Sequence, residues 1–339
     1  MDIATIKKID KSCMYKIYDK WVEIAENAYE SKQNIVNFEN INHIVFAGMG
    51  GSGAIGDIFS SVLSKSKIHV NIVKGYVLPD IVDSNTLVIL TSVSGNTSET
   101  ISIAKSAYKL GCKIIVFSSG GEIIEFCKKN RIEHRIIAEY NSPRASFTSY
   151  LYSMLKVLHT TLNIKHEDIL ESIEELKKMN KKICSSNLTK SNHALNLAKK
   201  ITGIPIIYYP WGLQSAAIRF KNSLQENVKI HVITEDGLET CHNGIVSWER
   251  TSNVKPILIE GKNDHTKTKE RWKILEDFFL KNNIEYEKIT SVDGSILSKL
   301  ISLIYLFDYA TIYKSILDKI DPSPVRSIDF IKTKLEKNN

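Results

Sequence analysis

Short apolar runs alternate with helical patterns through the first half of this chain. The runs have the length and β-branched content of buried strands, and apolar residues at helical spacing separate them. Strands that are apolar on both faces are typical of a parallel sheet covered by helices on each side. The pattern therefore predicts a doubly wound α/β domain, with strands at 41–47, 69–73, 86–92, 113–118 and 135–138 and helices at 55–63, 98–110 and 123–130.

The same alternation restarts in the second half, after predicted helices at 147–158 and 168–184. A strand, a glycine turn and a helix recur there, which indicates a tandem duplication of one architecture. The predicted division is 1–155 for N-terminal helices plus the first domain, 156–200 for connecting helices, and 201–339 for the second domain with C-terminal helices. The second set comprises strands at 205–209, 230–234, 256–260 and 285–289, helices at 216–225, 267–282 and 297–316, and a last helix after the DPSPV segment at 321–325.

Composition and charge narrow the class of protein. The chain has 339 residues, 43% hydrophobic and 24% charged, which suits two globular domains. The net charge of +7 comes without a block of Lys and Arg interleaved with aromatics, so we expect no nucleic-acid partner. The first 21 residues lack the apolar core of a signal peptide, and no run of about 18 apolar residues follows. We therefore expect a cytoplasmic protein without a membrane partner.

Metal chemistry has little support in the sequence. Five cysteines are scattered without CxxC spacing, so neither a disulfide framework nor a zinc knuckle is expected. His242 follows Cys241 directly, but two adjacent ligands without a partner cluster make poor zinc spacing. No metal site is predicted.

A glycine-rich loop, GMGGSG at 48–53, follows the first strand and opens a helix. Glycines let the backbone approach an anion, and a helix N-terminus offers free N–H groups at the positive end of its dipole. The spacing of Gly48, Gly50 and Gly53 also matches the dinucleotide fingerprint, which requires an acidic residue about 20 positions on. The second strand ends instead in Lys74 and Gly75. A nicotinamide cofactor is therefore disfavoured.

A second loop, SVSGNTSET at 92–100, again lies between a strand and a helix. Asn96 with Glu99 three positions later predicts a capping box on the following helix. The four hydroxyls of Ser92, Ser94, Thr97 and Thr100 exceed what a cap needs. Hydroxyls and free N–H groups without a lysine suit the phosphate of a small sugar. Because the Gly-Lys-Ser/Thr of a Walker loop is absent, nucleoside triphosphate hydrolysis is disfavoured.

These loops resemble the sugar isomerase (SIS) domain family. Further motifs tighten the resemblance to the bifunctional phosphoglucose/phosphomannose isomerases: NSPR at 141–144, QEN at 225–227, His242-Asn243 sixteen residues after Glu226, and DPSPV at 321–325. The resemblance covers nearly the whole chain. It implies two tandem SIS domains and a sugar-phosphate isomerase that needs no cofactor.

The resemblance also implies a role for each matching residue. Glu226 would be the base that moves a proton between C1 and C2, and His242 would open the sugar ring. Arg144 and Lys332 would manage negative charge, and a homodimer would share its sites, with His242 reaching the neighbouring subunit's sugar. Ordinary surface roles remain alternatives for all four side chains, and Lys334 or Lys337 could take the place of Lys332. The phosphate would be held by Gly51, Ser52, Ser92, Ser94 and Thr97.

The implied reaction interconverts glucose 6-phosphate and/or mannose 6-phosphate with fructose 6-phosphate through an enediol. Use of both C2 epimers would depend on a small hydroxyl residue near the Pro-rich turn, where Ser323 and Val325 are both candidates. Alternatives are an amino-sugar or pentulose-phosphate isomerase, and a non-catalytic phosphosugar sensor. About 38 N-terminal residues, with one or two predicted helices, are too few for the DNA-binding module that such a sensor usually carries.

Overall fold

The computed structural model describes residues 1–336 and contains two parallel sheets. The first sheet has the order β2-β1-β3-β4-β5, and the second has the order β7-β6-β8-β9. The second sheet thus repeats the arrangement of the first four strands of the first sheet, as the predicted duplication requires. The strands are β1 His43–Ala47, β2 His69–Val73, β3 Thr86–Ser92, β4 Lys113–Ser118, β5 Glu133–Ile136, β6 Ile204–Tyr209, β7 Ile233–Asp236, β8 Val254–Glu260 and β9 Glu287–Thr290.

Helices surround both sheets, and a π-helical turn, Leu224–Val228, follows α10 directly. All nine predicted strands are present within residues 1–336, and each begins and ends within three residues of its predicted bounds. The helices are α1 Ile3–Ile9, α2 Met14–Asp19, α3 Trp21–Tyr29, α4 Gly50–Val62, α5 Ser98–Lys109, α6 Gly121–Asn130, α7 Phe147–Leu158, α8 His166–Ile183, α9 His193–Lys200, α10 Gln214–Ser223, α11 Thr266–Lys281, α12 Ile296–Leu317 and α13 Arg326–Glu336.

The N-terminal segment differs from its prediction. It forms three short helices rather than one or two. The buried Asp10 carboxylate accepts hydrogen bonds from the backbone N–H groups of Met14 (3.0 Å) and Tyr15 (2.8 Å). These bonds satisfy the first turn of α2 and separate it from α1, and Cys13 between them has a left-handed φ of 54°. The apolar spacing is helical, but side-chain capping divides the segment.

Alternate residues along the central strands pack into different cores. In β1, Ile44 and Phe46 join the large core on one face of the sheet, whereas Val45 and Ala47 join a second core beneath α5 and α6. β3 is buried at every position and divides its side chains in the same way. Helices therefore cover both faces, which confirms the doubly wound architecture.

Helix α12 is the centre of the molecule. It packs against α8, α9, α10 and α4, so that elements of both halves contact it and the large core runs through both halves. The helix is long and apolar enough to cross a membrane, but 89% of its most apolar 18-residue window is buried within the protein. Its composition is that of a core helix.

Candidate active site

The glycine loop holds three backbone segments close together. A Cβ on Gly48 would lie 2.7 Å from the carbonyl oxygen of Thr91, so α4 approaches β3 more closely than a side chain permits. A Cβ on Gly51 would contact the backbone of Pro143 and Arg144 at 3.4 Å. The loop therefore touches both the end of β3 and the segment that closes the first sheet. Packing, as well as any anion, explains its glycines.

Ser52 links the glycine loop, residues 48–53, to the second loop, residues 92–100, which we call the hydroxyl loop. Its side chain is almost fully buried, and its Oγ accepts a hydrogen bond from the Val93 backbone N–H at 3.3 Å. Ser92 is also buried; it donates to Thr97 Oγ1 at 3.2 Å and accepts from the Gly95 N–H at 3.1 Å. These two serines fix the shape of the loop.

The outer part of the hydroxyl loop faces solvent at the N-terminus of α5. Ser94 is exposed, and Thr97 is the half-buried N-cap residue, which makes no side-chain capping bond. The first N–H groups of a helix have no partner within it. The Ser94 and Thr97 hydroxyls therefore lie beside free N–H groups at the positive end of a helix dipole, an arrangement suited to an anion.

The predicted capping box on α5 is wrong. Asn96 Oδ1 accepts instead from the Glu122 N–H at 2.9 Å, at the start of α6, and the Glu99 carboxylate accepts from Ser98 Oγ at 3.2 Å. The turn at Gly95, with φ of 73°, directs Asn96 towards the neighbouring helix. As a result, no side chain of this loop blocks the N-terminus of α5.

Arg144 is a buried cation that joins three segments. Only 4% of it is exposed, so the alternative of an ordinary surface arginine is wrong. Nη1 donates to Glu226 Oε2 at 3.0 Å, and Nε donates to Asn227 Oδ1 at 2.8 Å. Nη2 donates to the carbonyl oxygens of Pro322 at 2.8 Å and Ser323 at 3.0 Å. Arg144 thus binds both the π-helical turn and the C-terminal turn 321–325.

Glu226 owes its position to the π-helical turn. Leu224 and Val228 are buried on one side of this turn, while 26% of the Glu226 side chain stays exposed on the other. The turn ends at Lys229, whose φ is 64°. Single π-helical turns occur often at functional sites because the extra residue redirects one side chain. Here that side chain is a carboxylate paired with a buried guanidinium.

Lys229 is a second cation beside Glu226, and no sequence pattern singled it out. Its Nζ donates to the carbonyl oxygens of Glu226 and, at 3.3 Å, of Pro322. Much of the side chain touches solvent, but its amino group lies in this junction, where desolvation and then the Arg144 charge lower the pKa of Lys229. The sequence signal that could have found Lys229 is its position three residues after Glu226.

His242 and Lys332 lie apart from this cluster. His242 is exposed after the 3-10 turn Glu239–Cys241, and Lys332 is exposed on α13. Within residues 1–336, no hydrogen bond or ion pair connects either side chain to Arg144 or Glu226. Lys334 Nζ lies 5.8 Å from the Phe330 ring centroid, and Lys337 is outside the described residues.

Comparison with known proteins identifies the family. Residues 37–164 match the SIS domain, and residues 190–335 match the bacterial phospho-glucose isomerase C-terminal SIS domain. A bifunctional phosphoglucose/phosphomannose isomerase of Caldicellulosiruptor bescii is 34% identical, across 92% of this chain and 96% of its own length. This chain belongs to the bifunctional phosphoglucose/phosphomannose isomerase family.

Two further relatives of this isomerase family member match most of its length, and a solved structure shares its fold. An Aquifex aeolicus protein with the same name is 30% identical over 96% of this chain and all of its own length. A Sulfolobus acidocaldarius protein named D-glucosamine-6-phosphate 4-epimerase is 29% identical over 73% of this chain and 77% of its own. A hypothetical protein of Thermus thermophilus shares the fold at a TM-score of 0.72 and 12% identity, covering 99% of this chain and 90% of that one. The predicted pair of SIS domains is confirmed.

Within one chain of this isomerase family member, the structure connects most of the residues expected at the site. Contacts run from the hydroxyl loop through Ser52 and Gly51 to Arg144, and from Arg144 to Glu226 and Ser323. Within residues 1–336, no group of three or more His, Cys, Asp or Glu side chains is arranged to hold a metal ion.

Proposed function

We propose that this protein is an aldose–ketose isomerase that interconverts glucose 6-phosphate and/or mannose 6-phosphate with fructose 6-phosphate. The observation that carries the proposal is the buried Arg144 guanidinium bonded to the partly exposed Glu226 carboxylate, with the Arg144 backbone packed beside Gly51 of the glycine loop. Family membership supports the same reaction. Gly51, Ser52, Ser92, Ser94 and Thr97 form the phosphate end of the site.

Glu226 acts as the base of the reaction. One carboxylate oxygen is held by Arg144 Nη1, so the other is free to remove the C2 proton of the open-chain aldose and return it at C1. Arg144 uses one N–H on Nε, one on Nη1 and two on Nη2 for bonds to protein. A guanidinium has five N–H donors, so one on Nη1 remains beside Glu226 for an enediolate oxygen.

The remaining parts of the site come from a second subunit. His242 is exposed and, within residues 1–336, is not bonded to the Arg144–Glu226 pair, which supports the proposal that it opens the ring of a sugar bound by the partner. Lys332 is exposed on α13 beside the exposed apolar side chains of Ile328, Phe330 and Ile331. The active form is a cytoplasmic homodimer with shared sites.

Ser323 is the small residue that admits both C2 epimers. Its carbonyl oxygen accepts from Arg144, and its Oγ is enclosed without a hydrogen-bond partner in the described part of the chain. In the described part of the chain, Val325 forms no hydrogen bond with Arg144. A small side chain at this turn leaves room for the C2 hydroxyl of the sugar in either configuration.

The substrate test uses purified, chelator-treated protein without added nucleotide. Glucose 6-phosphate, mannose 6-phosphate and glucosamine 6-phosphate are incubated separately, and products are followed by NMR. We expect fructose 6-phosphate from the first two and no epimer of the third. Turnover of neither hexose phosphate would overturn the proposal, and binding without turnover would favour the sensor. Activity that EDTA removes and zinc restores would overturn the metal-free reaction.

Substitution Glu226→Gln tests the base. Gln can still accept from Arg144 but cannot take the proton, so the rate should fall about 10²–10⁴-fold, roughly 3–5 kcal/mol of barrier. Exchange of deuterium from solvent into C2 should disappear together with turnover. The control is Glu23→Gln, a carboxylate 63% exposed on α3. Exchange retained by Glu226→Gln would place the base elsewhere.

A further inference from the structure

The residue after Glu226 connects the active site to the central helix. Asn227 is fully buried. Its Oδ1 accepts from Arg144 Nε at 2.8 Å, and its Nδ2 donates to Thr311 Oγ1 at 2.7 Å. Because Oδ1 faces a guanidinium and Nδ2 faces a hydroxyl, only one orientation of the amide satisfies both partners. Asn227 therefore transmits the position of α12 to the Arg144 side chain.

The Arg144 backbone is connected to the same helix through Arg219, which lies on α10. Its carbonyl oxygen accepts from Arg219 Nη2 at 2.9 Å. Arg219 in turn bonds to Asp308 Oδ2 through Nε (2.9 Å) and Nη2 (2.6 Å), and Ser223 donates to Asp308 Oδ1 at 2.6 Å. The Arg219 guanidinium also lies 3.9 Å from the centroid of the Phe147 ring. Arg219 and Asp308 are both buried.

The two connections meet within one turn of α12. Thr311 Oγ1 donates to the Asp308 carbonyl oxygen at 2.7 Å, so the hydroxyl that holds Asn227 is itself oriented by the residue that holds Arg219. One turn of α12 thus fixes Arg144 at two points, its carbonyl oxygen and its Nε. Arg144 belongs to the segment that closes the first sheet, whereas α12 follows the second.

We propose that Thr311, through Asn227, is a positioning residue that sets the orientation of Arg144 towards Glu226 and the enediolate. This inference rests on the proposed isomerase function. Thr311 does not touch the substrate. Its hydroxyl offers the amide of Asn227 the acceptor it requires. Without that acceptor the buried Nδ2 has no partner, and the amide loses one of the two hydrogen bonds that fix its position beside Arg144. The affected step is the one in which negative charge develops.

The test compares Thr311→Val with Thr311→Ser. Valine keeps the shape and removes the hydroxyl, while serine keeps the hydroxyl. We expect Thr311→Val to lower kcat about tenfold with KM changed less than about twofold, and Thr311→Ser to stay within about twofold of wild type in both. The matched control is Ser315→Ala on the same helix, whose buried hydroxyl donates only to the Ile312 carbonyl oxygen, at 2.7 Å. Its kcat should not change.

Two ligands separate positioning from general damage to the fold. An alditol 6-phosphate is neutral at C1 and C2, whereas an aldonate phosphate carries a carboxylate in place of the enediolate. We expect Thr311→Val to bind the aldonate phosphate about tenfold more weakly and the alditol phosphate as well as wild type does. Unchanged aldonate binding, or equal weakening of both ligands with a lower melting temperature, would overturn the inference.

The proposed function and this inference fail in different ways. A wild-type protein without turnover would contradict the isomerase proposal, and the ligand pair would still decide whether Thr311 orients Arg144. Wild-type turnover together with unchanged kcat in Thr311→Val would contradict the positioning role alone.

Discussion

Gly95 determines the geometry of the phosphate end of the site. Its φ of 73° lies in the left-handed region, and a Cβ there would be 1.8 Å from the carbonyl oxygen of Gly120. The hydroxyl loop therefore lies directly against the loop before α6, with Asn96 bonded to the first turn of that helix. Both contacts leave Ser94 and Thr97 beside the N-terminus of α5.

Replacing Gly95 with alanine should disturb this end of the site. The added methyl cannot occupy its position without moving the Gly120 backbone, and overpacking of this kind costs about 1–3 kcal/mol. We expect KM for the sugar phosphate to rise about tenfold or more, measured by steady-state kinetics. Gly75→Ala is the control, because in the described part of the chain no atom beyond Gly75 and its two neighbours in sequence lies within 4 Å of the added Cβ. An unchanged KM in Gly95→Ala would mean that the loop does not hold substrate.

The exposed hydroxyls of the same loop should affect binding more than catalysis. Ser94→Ala and Thr97→Ala each remove a donor to a phosphate that does not react, so ground state and transition state lose the same interaction. KM should rise about tenfold for each, with kcat nearly constant. Ser106→Ala, further along α5, is the control. A large fall in kcat at unchanged KM would show that the loop has another role.

At the scale of elements, the active-site side chains depend on how helices end and begin. The π-helical turn after α10 presents Glu226, and the start of α12 is stabilised by a residue of another helix. Glu171 on α8 accepts from the Ser295 N–H at 2.9 Å and from Ser298 Oγ at 2.8 Å. These bonds to Ser295 and Ser298 hold the pKa of Glu171 below its usual range.

Glu171→Ala should therefore destabilise the protein in a pH-dependent way. The lowered pKa means that the stabilisation is present above the unfolded-state pKa, about 4.3, and is lost as pH falls through the folded-state pKa. We expect the variant to lose about 0.5–1 kcal/mol of unfolding free energy at pH 7, a cap contribution reduced by solvent screening.

Urea unfolding between pH 3 and pH 7 measures this difference, which should shrink towards pH 3. The control is Glu174→Ala, on the same helix, whose carboxylate is 56% exposed and 3.9 Å from Lys177. A deficit in Glu171→Ala that is independent of pH would show that packing, and not the carboxylate, stabilises the start of α12.

At the scale of the whole molecule, one chain assembles only part of the predicted set of residues. The central helix α12 unites both halves around Arg144, and the exposed His242 lies on the loop after β7. In a two-fold dimer any contribution from a partner is reciprocal. Each site would then take Glu226 from one chain and His242 from the other.

Mixing two inactive variants tests this arrangement. Glu226→Gln and His242→Ala are combined under conditions that allow subunit exchange, and differential tags monitor the mixed dimers. At complete random exchange about half of the dimers are mixed, each with one intact site of two, so activity should recover to about a quarter of wild type. Mixed dimers that remain inactive would show that His242 acts within its own chain or has no role.

Local patterns in the sequence were sufficient for much of the fold. The nine strands and the helices between them follow from apolar runs and helical spacing, because these depend on neighbours within a turn or two of the same element. The glycine loop and the hydroxyl loop could be predicted for the same reason, because each lies between a predicted strand and a predicted helix. The motif around Glu226 carried the family resemblance, and that resemblance pointed to a base. From spacing alone, Glu226 would have been interpreted as a solvent-exposed carboxylate at the end of a helix.

Only the tertiary structure decided which of these residues meet. Arg144 reaches Asn227 across 83 positions and Pro322 across 178, and burial of the cation depends on the packing of both halves against α12. Asn96 caps α6, and not its own helix, because folding brings a better-placed N–H group to it. No local pattern encodes such contacts, since they arise from the packing of elements far apart in the chain. The sequence determined the elements and their chemistry, and the packing around α12 determined the geometry of the site.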